Sequence, residues 1–528
     1  MKKTEKHRKA KCVAIFGTGS DVGKSIVVAA LCRIFNDLGI RVAPFKAQNM
    51  SNNSYVTPEG GEMGRAQIVQ AEAARIAPHV DMNPVLLKPS TDTGAQVVLY
   101  GQPLGNREAK EYFSDTNYLY EKALASLERL RTLYALIFME GAGSCAEVNL
   151  RSRDFVNFRM AHAADAPVIL VADIDRGGVF AQIIGTLNII PKEDRKRIKG
   201  IIINRFRGDA DLFKTGMEFI EDKTGLPVLG LIPYFHHIQI DSEDGLPLDF
   251  LLDPPSGPEP GKVNIGVIRL PHISNFTDFN PFERDAFISL HYLARPRTLY
   301  GYDAIFIPGT KNSRFDMEWL RHTGWATHLA EFVHDGGHLG GICGGYQLLG
   351  KLIRDPYGIE GTPGETYCLG LLDVETTLHR EKILSRSKGI WERSGENVEG
   401  YEIHMGITEH GRTVLPVIRI LSKNERRADS FDGASSPEGR VWGTYFHGLF
   451  DTPGFRHSFL KAICTNYKPG ENDRDTGDAS NFKDHQYDLL AEHFRTHLNM
   501  DKLLKIAGID DLIKDMRVPG NTMKRGHI

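Results

Sequence analysis

The stretch "CVAIFGTGSDVGKS" (residues 12–25) joins a short apolar run to a glycine-rich loop, and it decides how the first half of the chain folds. The apolar run predicts a buried strand, and "KSIVVAALCRIFNDLG" (24–39) has the periodicity of a helix. A glycine-rich turn between a buried strand and a helix N-terminus binds phosphate through backbone N–H groups. We therefore expect a phosphate-binding loop made of Gly17, Thr18, Gly19, Ser20, Asp21, Val22, Gly23, Lys24 and Ser25.

The loop is one residue longer than the common G-x-x-x-x-G-K-[S/T] pattern, because Thr18 stands where the first glycine is expected. By that pattern Lys24 is expected on the β- and γ-phosphates of ATP, and Ser25 on Mg²⁺. A strand–helix turn without a ligand would explain the glycines but not the Gly23-Lys24-Ser25 triplet. Asp21, inside the longer loop, is a candidate contact for the metal ion or a substrate.

Further buried strands alternate with helical patterns along the first half of the chain. Near-continuous apolar runs occur at 41–45, 134–140, 167–173 and 200–204, with a helical pattern at 62–76. Such strands suit a parallel sheet that is covered on both faces. The pattern predicts a doubly wound α/β domain.

Two charged residues stand where these strands end. Lys46 directly follows one strand, and Glu140 is the last residue of another. The carboxyl ends of parallel strands form the ligand-binding edge of such a sheet. We expect Lys46 to contact phosphate or a substrate carboxylate, and Glu140 to join Ser25 and Asp21 at Mg²⁺. A solvated lysine and a helix-capping carboxylate are the alternatives.

A second α/β series follows a stretch rich in proline and glycine, "DPPSGPEPGK", which predicts a linker. Apolar runs predict strands within 263–270, 302–309 and 337–345, whereas residues 380–440 are polar and predict irregular structure with weak strands. A helical pattern covers 485–508. The predicted organisation is two doubly wound domains with a helical tail, over residues 1–252 (first domain), 253–262 (linker), 263–470 (second domain) and 471–528 (tail).

A candidate nucleophile lies in the second domain. Cys343, in "GGICGGYQLLG" (340–350), stands between an apolar strand and a helix, and the flanking Gly341 and Gly345 permit a sharp turn. A helix N-terminus also favours a thiolate at this position. His447 ends another strand-like run far downstream and is a candidate base. The alternative is a buried cysteine that only packs.

Cys343 and His447 together resemble the class I (triad) glutamine amidotransferases. In that family the cysteine attacks the side-chain amide of glutamine, forms a γ-glutamyl thioester and releases ammonia. The family usually has a glutamate two residues after the histidine, where this chain has Leu449, so the partner that orients His447 is not identified. The resemblance also implies an oxyanion hole made by the backbone amides of Gly309 and Gly344.

Over nearly its whole length the chain resembles the cobyric acid synthase family, and its long phosphate loop resembles that of dethiobiotin synthetase. The matching stretches include "FKAQNMSNNS" (45–54), "MEGAGS" (139–144), "DIDRGGVFA" (173–181) and "GYEIHMG" (400–406). The resemblance implies that ATP, with Mg²⁺, activates carboxylates as acyl phosphates and that glutamine supplies ammonia. The implied substrate is adenosylcobyrinic acid a,c-diamide, a corrinoid, amidated at carboxylates b, d, e and g. Where the family usually has a proline, this chain has Cys145.

Several cations lie in these matching stretches near predicted strand ends. Each one alone is most simply a surface salt bridge. Together, beside a phosphate loop, they favour a cleft that binds a substrate with many carboxylates. The expected substrate or phosphate contacts are Lys46, Arg65, Lys88, Arg176, Arg205 and Arg207.

Two other functions are compatible with parts of this pattern. Cobyrinic acid a,c-diamide synthase performs the same chemistry on an earlier corrinoid, but "AQNMSNNS" (47–54) and "GYEIHMG" favour the enzyme that adds the later amides. A ParA/MinD-like switch ATPase would carry a lysine where this chain has Thr18. Such an ATPase also has no use for a glutaminase half.

The bulk composition excludes several classes of protein. The chain has 528 residues, 41% of them hydrophobic, 25% charged, and a formal net charge of −3. These values predict a soluble multidomain protein without the basic field of a nucleic-acid binder. Six scattered cysteines suggest a reducing compartment, and no apolar run is long enough for a membrane span. We expect a cytoplasmic enzyme without a membrane or nucleic-acid partner, and a homo-oligomer is compatible with the sequence.

Overall fold

The structure is a computed structural model. It describes residues 9–89, 94–108, 116–241, 257–467 and 479–510. Parts of the predicted linker (253–256) and of the predicted tail (471–478 and 511–528) lie outside the described residues.

The first half contains twelve described strands and seven described α-helices. The strands are β1 (Lys11–Gly17), β2 (Val42–Phe45), β3 (Gln48–Met50), β4 (Ser54–Val56), β5 (Glu62–Gly64), β6 (Val85–Pro89), β7 (Gly94–Leu99), β8 (Gln102–Glu108), β9 (Leu136–Glu140), β10 (Val168–Asp173), β11 (Ile198–Phe206) and β12 (Val228–Pro233). The helices are α1 (Lys24–Asp37), α2 (Arg65–Ala73), α3 (Thr116–Leu133), α4 (Phe158–Ala163), α5 (Val179–Ile189), α6 (Lys192–Arg195) and α7 (Lys214–Thr224). Short 3₁₀ turns span Val80–Met82 and Ala210–Phe213.

Six of these strands form a parallel sheet in the order β12-β11-β10-β1-β9-β2. Successive residues of β1 enter different apolar clusters. Ala14 and Phe16 belong to one cluster, and Val13 and Ile15 belong to the other. Because side chains alternate across a strand, the two clusters lie on opposite faces of the sheet. The predicted doubly wound architecture is confirmed, and β1 carries its loop to the middle of the carboxyl edge.

A smaller sheet lies beside the parallel one and provides part of the contact with the second half. Its order is β3-β6-β7-β8, and β4 pairs with β5 in a separate ribbon. The predicted helical pattern at 62–76 begins as β5 and becomes helical only from Arg65. Lys88 therefore lies in a strand of the smaller sheet, away from the strands that surround β1.

The second half is built on one large sheet. The strands of this half are β13 (Val263–Ile268), β14 (Ile273–Ser274), β15 (Ile288–Leu293), β16 (Ala304–Ile307), β17 (Gly309–Thr310), β18 (His338–Ile342), β19 (Leu352–Asp355), β20 (Gly364–Tyr367), β21 (Val374–Trp391), β22 (Asn397–His410), β23 (Leu415–Lys423), β24 (Arg426–Ser435), β25 (Val441–Thr444) and β26 (Phe446–His447). All of them belong to the large sheet except β14 and β17, which pair with each other. The helices are α8 (Asn280–Glu283), α9 (Ser313–Thr323), α10 (Trp325–His334), α11 (Gly344–Leu349), α12 (Pro453–Ile463), α13 (Ala479–His497) and α14 (Met500–Ala507). Two 3₁₀ turns span Phe276–Phe279 and Leu449–Asp451.

The large sheet has a parallel part and an antiparallel part. Strands β15-β13-β16-β18-β25 are parallel, and β24, β23 and β21 continue the sheet in antiparallel order. The prediction of irregular structure over 380–440 is wrong, because β21 to β24 occupy most of that region. Their buried and exposed residues alternate, so one face meets water and the segment appears polar in sequence.

The C-terminal helices return to the first half. Leu490 and Phe494 of α13 pack in one apolar cluster with Leu31 and Phe35 of α1. The buried Arg33 of α1 forms ion pairs with Asp484 and Asp488 of α13. The described part of the tail is thus an extra layer on the first domain.

Candidate active sites

The phosphate loop has glycines where a side chain would collide. A Cβ on Gly17 would lie 2.8 Å from the Gly19 carbonyl oxygen and 2.8 Å from a Val22 methyl group. Gly23 has φ +91°, and a Cβ there would lie 2.2 Å from Nδ2 of Asn204. That amide donates to the Val22 carbonyl at 2.9 Å. Close packing at both positions, and the left-handed backbone at Gly23, therefore explain why Gly17 and Gly23 are glycines.

Lys24 is buried and holds the loop together. Its Nζ donates to the carbonyl oxygens of Gly19 and Gly143, both at 2.9 Å. Gly143 follows β9, so the ammonium joins the loop to the neighbouring strand end. This places the cation inside the loop, where a bound phosphate is expected.

Ser25, Lys46 and Glu140 form one cluster at the carboxyl ends of β1, β2 and β9. Ser25 Oγ donates to Glu140 Oε1 at 2.9 Å, and Lys46 Nζ pairs with the same oxygen at 2.8 Å. Gln70 Nε2 donates to Glu140 Oε2. Burial opposes ionisation of Glu140, but Lys46 and these donors hold its pKa below the usual value. The cluster places an ionised carboxylate beside a hydroxyl and an ammonium.

These donors fit a metal ion that is carried by a nucleotide. Mg²⁺ prefers oxygen ligands and is commonly held by one or two carboxylates together with phosphates and waters. Ser25 Oγ and Glu140 offer such oxygens at one place. Within the described ranges, no group of three or more His, Cys, Asp or Glu residues could hold an ion alone. Asp21 lies in the loop, half-buried, with a left-handed φ of 56°.

Three of the predicted cations lie at the same edge of the sheet. Arg205 pairs with Asp173 at 2.9 Å, and Arg207 pairs with Asp175 at 2.7 Å. Arg176 is exposed in the turn after β10. Because β10 and β11 follow β1 in the sheet, these three arginines flank the phosphate loop.

The other two predicted cations lie at the contact between the two halves. Arg65 is buried against Asp241, which also accepts from Asn280 Nδ2 at 3.0 Å. Lys88 is buried against Glu62, with 2.5 Å between Nζ and Oε1. The structure therefore separates Arg65 and Lys88 from the phosphate loop.

Cys343 lies in a strained turn between β18 and α11. It has φ 54° and ψ −109°, and its backbone N–H donates to the Thr444 carbonyl at 2.8 Å. A Cβ on Gly341 would lie 2.7 Å from the Gly345 carbonyl oxygen, and one on Gly345 would lie 2.0 Å from the Ile307 carbonyl oxygen. The two glycines permit the turn, which holds the sulfur at the end of the parallel sheet.

His447 is oriented by Asp278. The Nδ1–H donates to Asp278 Oδ2 at 2.7 Å, and the Gly448 N–H donates to Oδ1 of the same carboxylate at 2.8 Å. The ring stacks on Tyr401, with 5.2 Å between centroids. Burial alone would lower the pKa of His447, but Asp278 and the Cys343 sulfur raise it to about 10. Cys343, His447 and Asp278 have the connectivity of a nucleophile–base–acid triad.

Sequence reasoning missed Asp278 because nothing in the spacing connects it with His447. The acid lies 169 residues earlier in the chain, in the 3₁₀ turn Phe276–Phe279. The position expected for the acid is taken by Leu449, which is buried in the core. The acid side chain thus reaches the histidine from another segment.

Gly309 and Gly344 both lie beside the candidate nucleophile and base. A Cβ on Gly309 would lie 3.2 Å from Cε1 of His447. Gly344 is the first residue of α11, and a Cβ there would lie 2.5 Å from a Thr310 methyl group. Their predicted role in an oxyanion hole stays a prediction.

The segment at the start of β4 in the first half is linked through Asn275 to the candidate base of the second half. Asn53 Oδ1 accepts from the Asn275 N–H at 2.7 Å, and Asn275 Oδ1 accepts from the Ser54 N–H at 3.1 Å. The amide of Asn275 also donates to Nε2 of His447 at 3.3 Å. Asn275 therefore links the first domain to the imidazole.

Two family models match the chain. Residues 13–248 match the CobQ/CobB/MinD/ParA nucleotide binding domain, and residues 264–455 match the CobB/CobQ-like glutamine amidotransferase domain. None of the helices in the part of the chain that the structure describes has the length and apolar character of a membrane span.

The chain is also similar to curated proteins over nearly its full length. It is 55% identical over 496 residues to the cobyric acid synthase of Chlorobium phaeobacteroides, covering 94% of this chain and 99% of that protein. The cobyric acid synthase of Chlorobaculum tepidum is 54% identical, with coverages of 94% and 98%. That of Syntrophobacter fumaroxidans is 43% identical, with coverages of 95% and 99%.

Proposed function

The chain belongs to the cobyric acid synthase family, and from that premise we propose that it uses ATP and glutamine to convert carboxylates of a corrinoid into amides during cobalamin biosynthesis. The enzyme is a glutamine-hydrolysing ligase that forms carbon–nitrogen bonds. Its proposed substrate is adenosylcobyrinic acid a,c-diamide, and the carboxylates amidated are b, d, e and g.

The first domain activates the carboxylate. An oxygen of the substrate carboxylate attacks the γ-phosphorus of ATP, which gives an acyl phosphate and ADP. Lys24 and Lys46 neutralise the charge on the transferred phosphoryl group, a cationic environment that lowers the barrier to this step. Ser25 and Glu140 would hold Mg²⁺, which supplies charge neutralisation on the phosphate oxygens when bound. Arg176, Arg205 and Arg207 are suitably placed to hold other carboxylates of the corrinoid.

The second domain releases ammonia. The Cys343 thiolate attacks the carboxamide carbon of glutamine, and His447 delivers a proton to the departing ammonia. Water then hydrolyses the γ-glutamyl thioester to glutamate and regenerates the thiol. Asp278 keeps the Nδ1–H of His447 oriented, so that Nε2 faces the reaction.

Ammonia then attacks the acyl phosphate. The new carbon–nitrogen bond forms as the carbon–oxygen bond to phosphate breaks, and inorganic phosphate leaves. The observation that carries the proposal is the presence of both clusters in one chain, Ser25–Lys46–Glu140 at the phosphate loop and Cys343–His447–Asp278 in the second domain. Neither cluster alone accounts for amide synthesis from glutamine.

A single variant separates the two sites. Cys343→Ala should abolish amide formation with glutamine, while ammonium salts should still support ATP-dependent synthesis. Products are counted by mass spectrometry after incubation with adenosylcobyrinic acid a,c-diamide or with cobyrinic acid. Glutamine-dependent synthesis by Cys343→Ala would remove the assigned nucleophile. Amidation of cobyrinic acid but not of the a,c-diamide would identify the enzyme of the earlier step.

A further inference from the structure

A cavity of about 70 Å³ lies beside Cys343 and extends to the contact between the two domains. Cys343 and Gly344 form one wall of it. Lys311 and Lys382 of the second domain and Lys88 of the first domain also line it. The cavity in front of the nucleophile is therefore completed by the other domain.

The three lysines surround one buried carboxylate. The Glu62 side chain is fully buried, with Lys88 on Oε1 and Lys382 on Oε2. The exposed fractions of these two lysine side chains are 1% and 2%. Ser54 Oγ also donates to Glu62, at 2.7 Å. Since β5 carries Glu62 and β21 carries Lys382, this ion pair crosses from one domain to the other.

The cluster has more cationic than anionic groups. Burial lowers the pKa of Lys311, and the neighbouring charges of Lys382 and Lys88 lower it further. This repulsion disfavours a charge on Lys311, while Lys88 and Lys382 share the single carboxylate of Glu62. A bound carboxylate at the cluster would offset the positive charge that Glu62 leaves unbalanced. The other ionisable groups that line the cavity are Cys343, Glu360 and His404.

We infer that this lysine cluster (Lys88, Lys311 and Lys382) is the site that binds the α-carboxylate of glutamine while the carboxamide lies at Cys343. The inference rests on the proposed glutaminase function and adds to it that the first domain supplies part of the glutamine pocket. Glutamine has a carboxylate at one end and the reacting amide at the other. The three lysines and the Cys343 thiol line the same small cavity.

The arrangement has a physical consequence for specificity. A carboxylate removed from water needs cationic or hydrogen-bonding partners, or its desolvation outweighs binding. Lys382 is held by Glu62 across the domain contact, so the orientation of one domain on the other positions this ammonium. An amide substrate without the carboxylate gains nothing from the cluster and is discriminated against.

The test compares L-glutamine with 4-aminobutanamide, which keeps the amine and the carboxamide but lacks the carboxylate. The full-length protein is assayed for ammonia release, and kcat/KM is determined for both compounds. In Lys382→Met we expect kcat/KM for glutamine to fall on the order of 10- to 100-fold, as for loss of a hydrogen bond to a charged group. The value for 4-aminobutanamide should stay unchanged. Lys382→Arg should retain most of the preference for glutamine.

The matched control is Lys388→Met on the same strand, whose side chain is 63% exposed, and it should behave as the wild type. If Lys382→Met lowers kcat/KM equally for both compounds, or for neither, the lysine cluster does not bind the carboxylate and the inference is wrong. If the wild type releases no more ammonia from glutamine than Cys343→Ala does, the proposed glutaminase function itself fails. The two failures are thus distinguished in one series of assays.

Discussion

Asp278→Asn is expected to abolish most glutaminase activity without removing the fold. In the wild type both oxygens of Asp278 accept hydrogen bonds, at 2.7 Å from His447 Nδ1 and 2.8 Å from the Gly448 N–H. An asparagine has one acceptor and one donor at these positions. With its oxygen towards Gly448, its amide N–H faces Nδ1 and forces the proton onto Nε2. The imidazole then has the wrong tautomer to accept a proton from Cys343.

The size of the effect follows from that tautomer. The corresponding change in a serine protease triad lowers kcat by about 10⁴-fold, and we expect a loss on the order of 10²- to 10⁴-fold here. At about 1.4 kcal/mol for each tenfold change, this is roughly 3 to 5.5 kcal/mol of transition-state stabilisation. The substitution also removes the charge that raises the pKa of His447. The alkaline decline of any residual activity should therefore begin at a lower pH than in the wild type.

The assay measures glutamine-dependent and ammonia-dependent amide synthesis side by side. Only the glutamine-dependent rate should fall in Asp278→Asn. Asp335→Asn, at an exposed carboxylate of the same domain, is the matched control and should leave both rates unchanged. A glutaminase kcat within a factor of a few of the wild-type value would refute the assignment of Asp278. Equal loss of both rates would instead indicate a damaged fold.

Three further predictions concern other parts of the molecule. Glu140→Gln removes the carboxylate shared by Ser25 and Lys46, and it should lower ammonia-dependent synthesis by about 10²-fold or more, as for loss of one electrostatic stabiliser. Glutaminase activity of Glu140→Gln, measured as glutamate release, should remain, and loss of both activities would contradict the separation of the sites. Gly345→Ala places a Cβ 2.0 Å from the Ile307 carbonyl oxygen and should destabilise the second domain by about 1–3 kcal/mol. Thermal unfolding should therefore occur at a lower temperature, and an unchanged unfolding temperature would contradict the close packing. Burial lowers the pKa of Lys382 to about 8, so the ammonium is lost above that pH and kcat/KM for glutamine should fall there, a decline that should be absent in Lys382→Met.

The sequence was sufficient to predict those features that depend on one strand and the loop after it. The loop at residues 17–25, the acid at the end of β9 and the lysine after β2 all follow from the carboxyl-edge rule of parallel sheets. Ser25 and Lys46 accordingly both lie within hydrogen-bonding distance of Glu140. The turn at Cys343 follows in the same way from its flanking glycines.

Features that depend on contacts between distant segments were not predictable in this way. Asp278 reaches His447 from a 3₁₀ turn, and Lys88 belongs to the smaller sheet instead of the parallel sheet that holds β1. Arg65 and Lys88 carry the same charge as the arginines beside the phosphate loop. Only the fold places them against buried acids at the domain contact.

The prediction for residues 380–440 failed for a related reason. Strands with one solvated face are polar in every second residue, and their antiparallel pairing is determined by neighbours across the sheet. The polar segment 380–440 therefore folds as a sheet with one exposed face. That sheet carries Lys382 and Ile403, which line the cavity beside Cys343.

The central claim is that one chain transfers the amide nitrogen of glutamine to corrinoid carboxylates at the expense of ATP. The most direct measurement incubates the protein with adenosylcobyrinic acid a,c-diamide, ATP, Mg²⁺ and glutamine labelled with ¹⁵N in the side-chain amide. Mass spectrometry should find ¹⁵N in up to four new amides, with one ADP formed for each amide. A corrinoid that gains no ¹⁵N while ATP or glutamine is consumed would contradict the account.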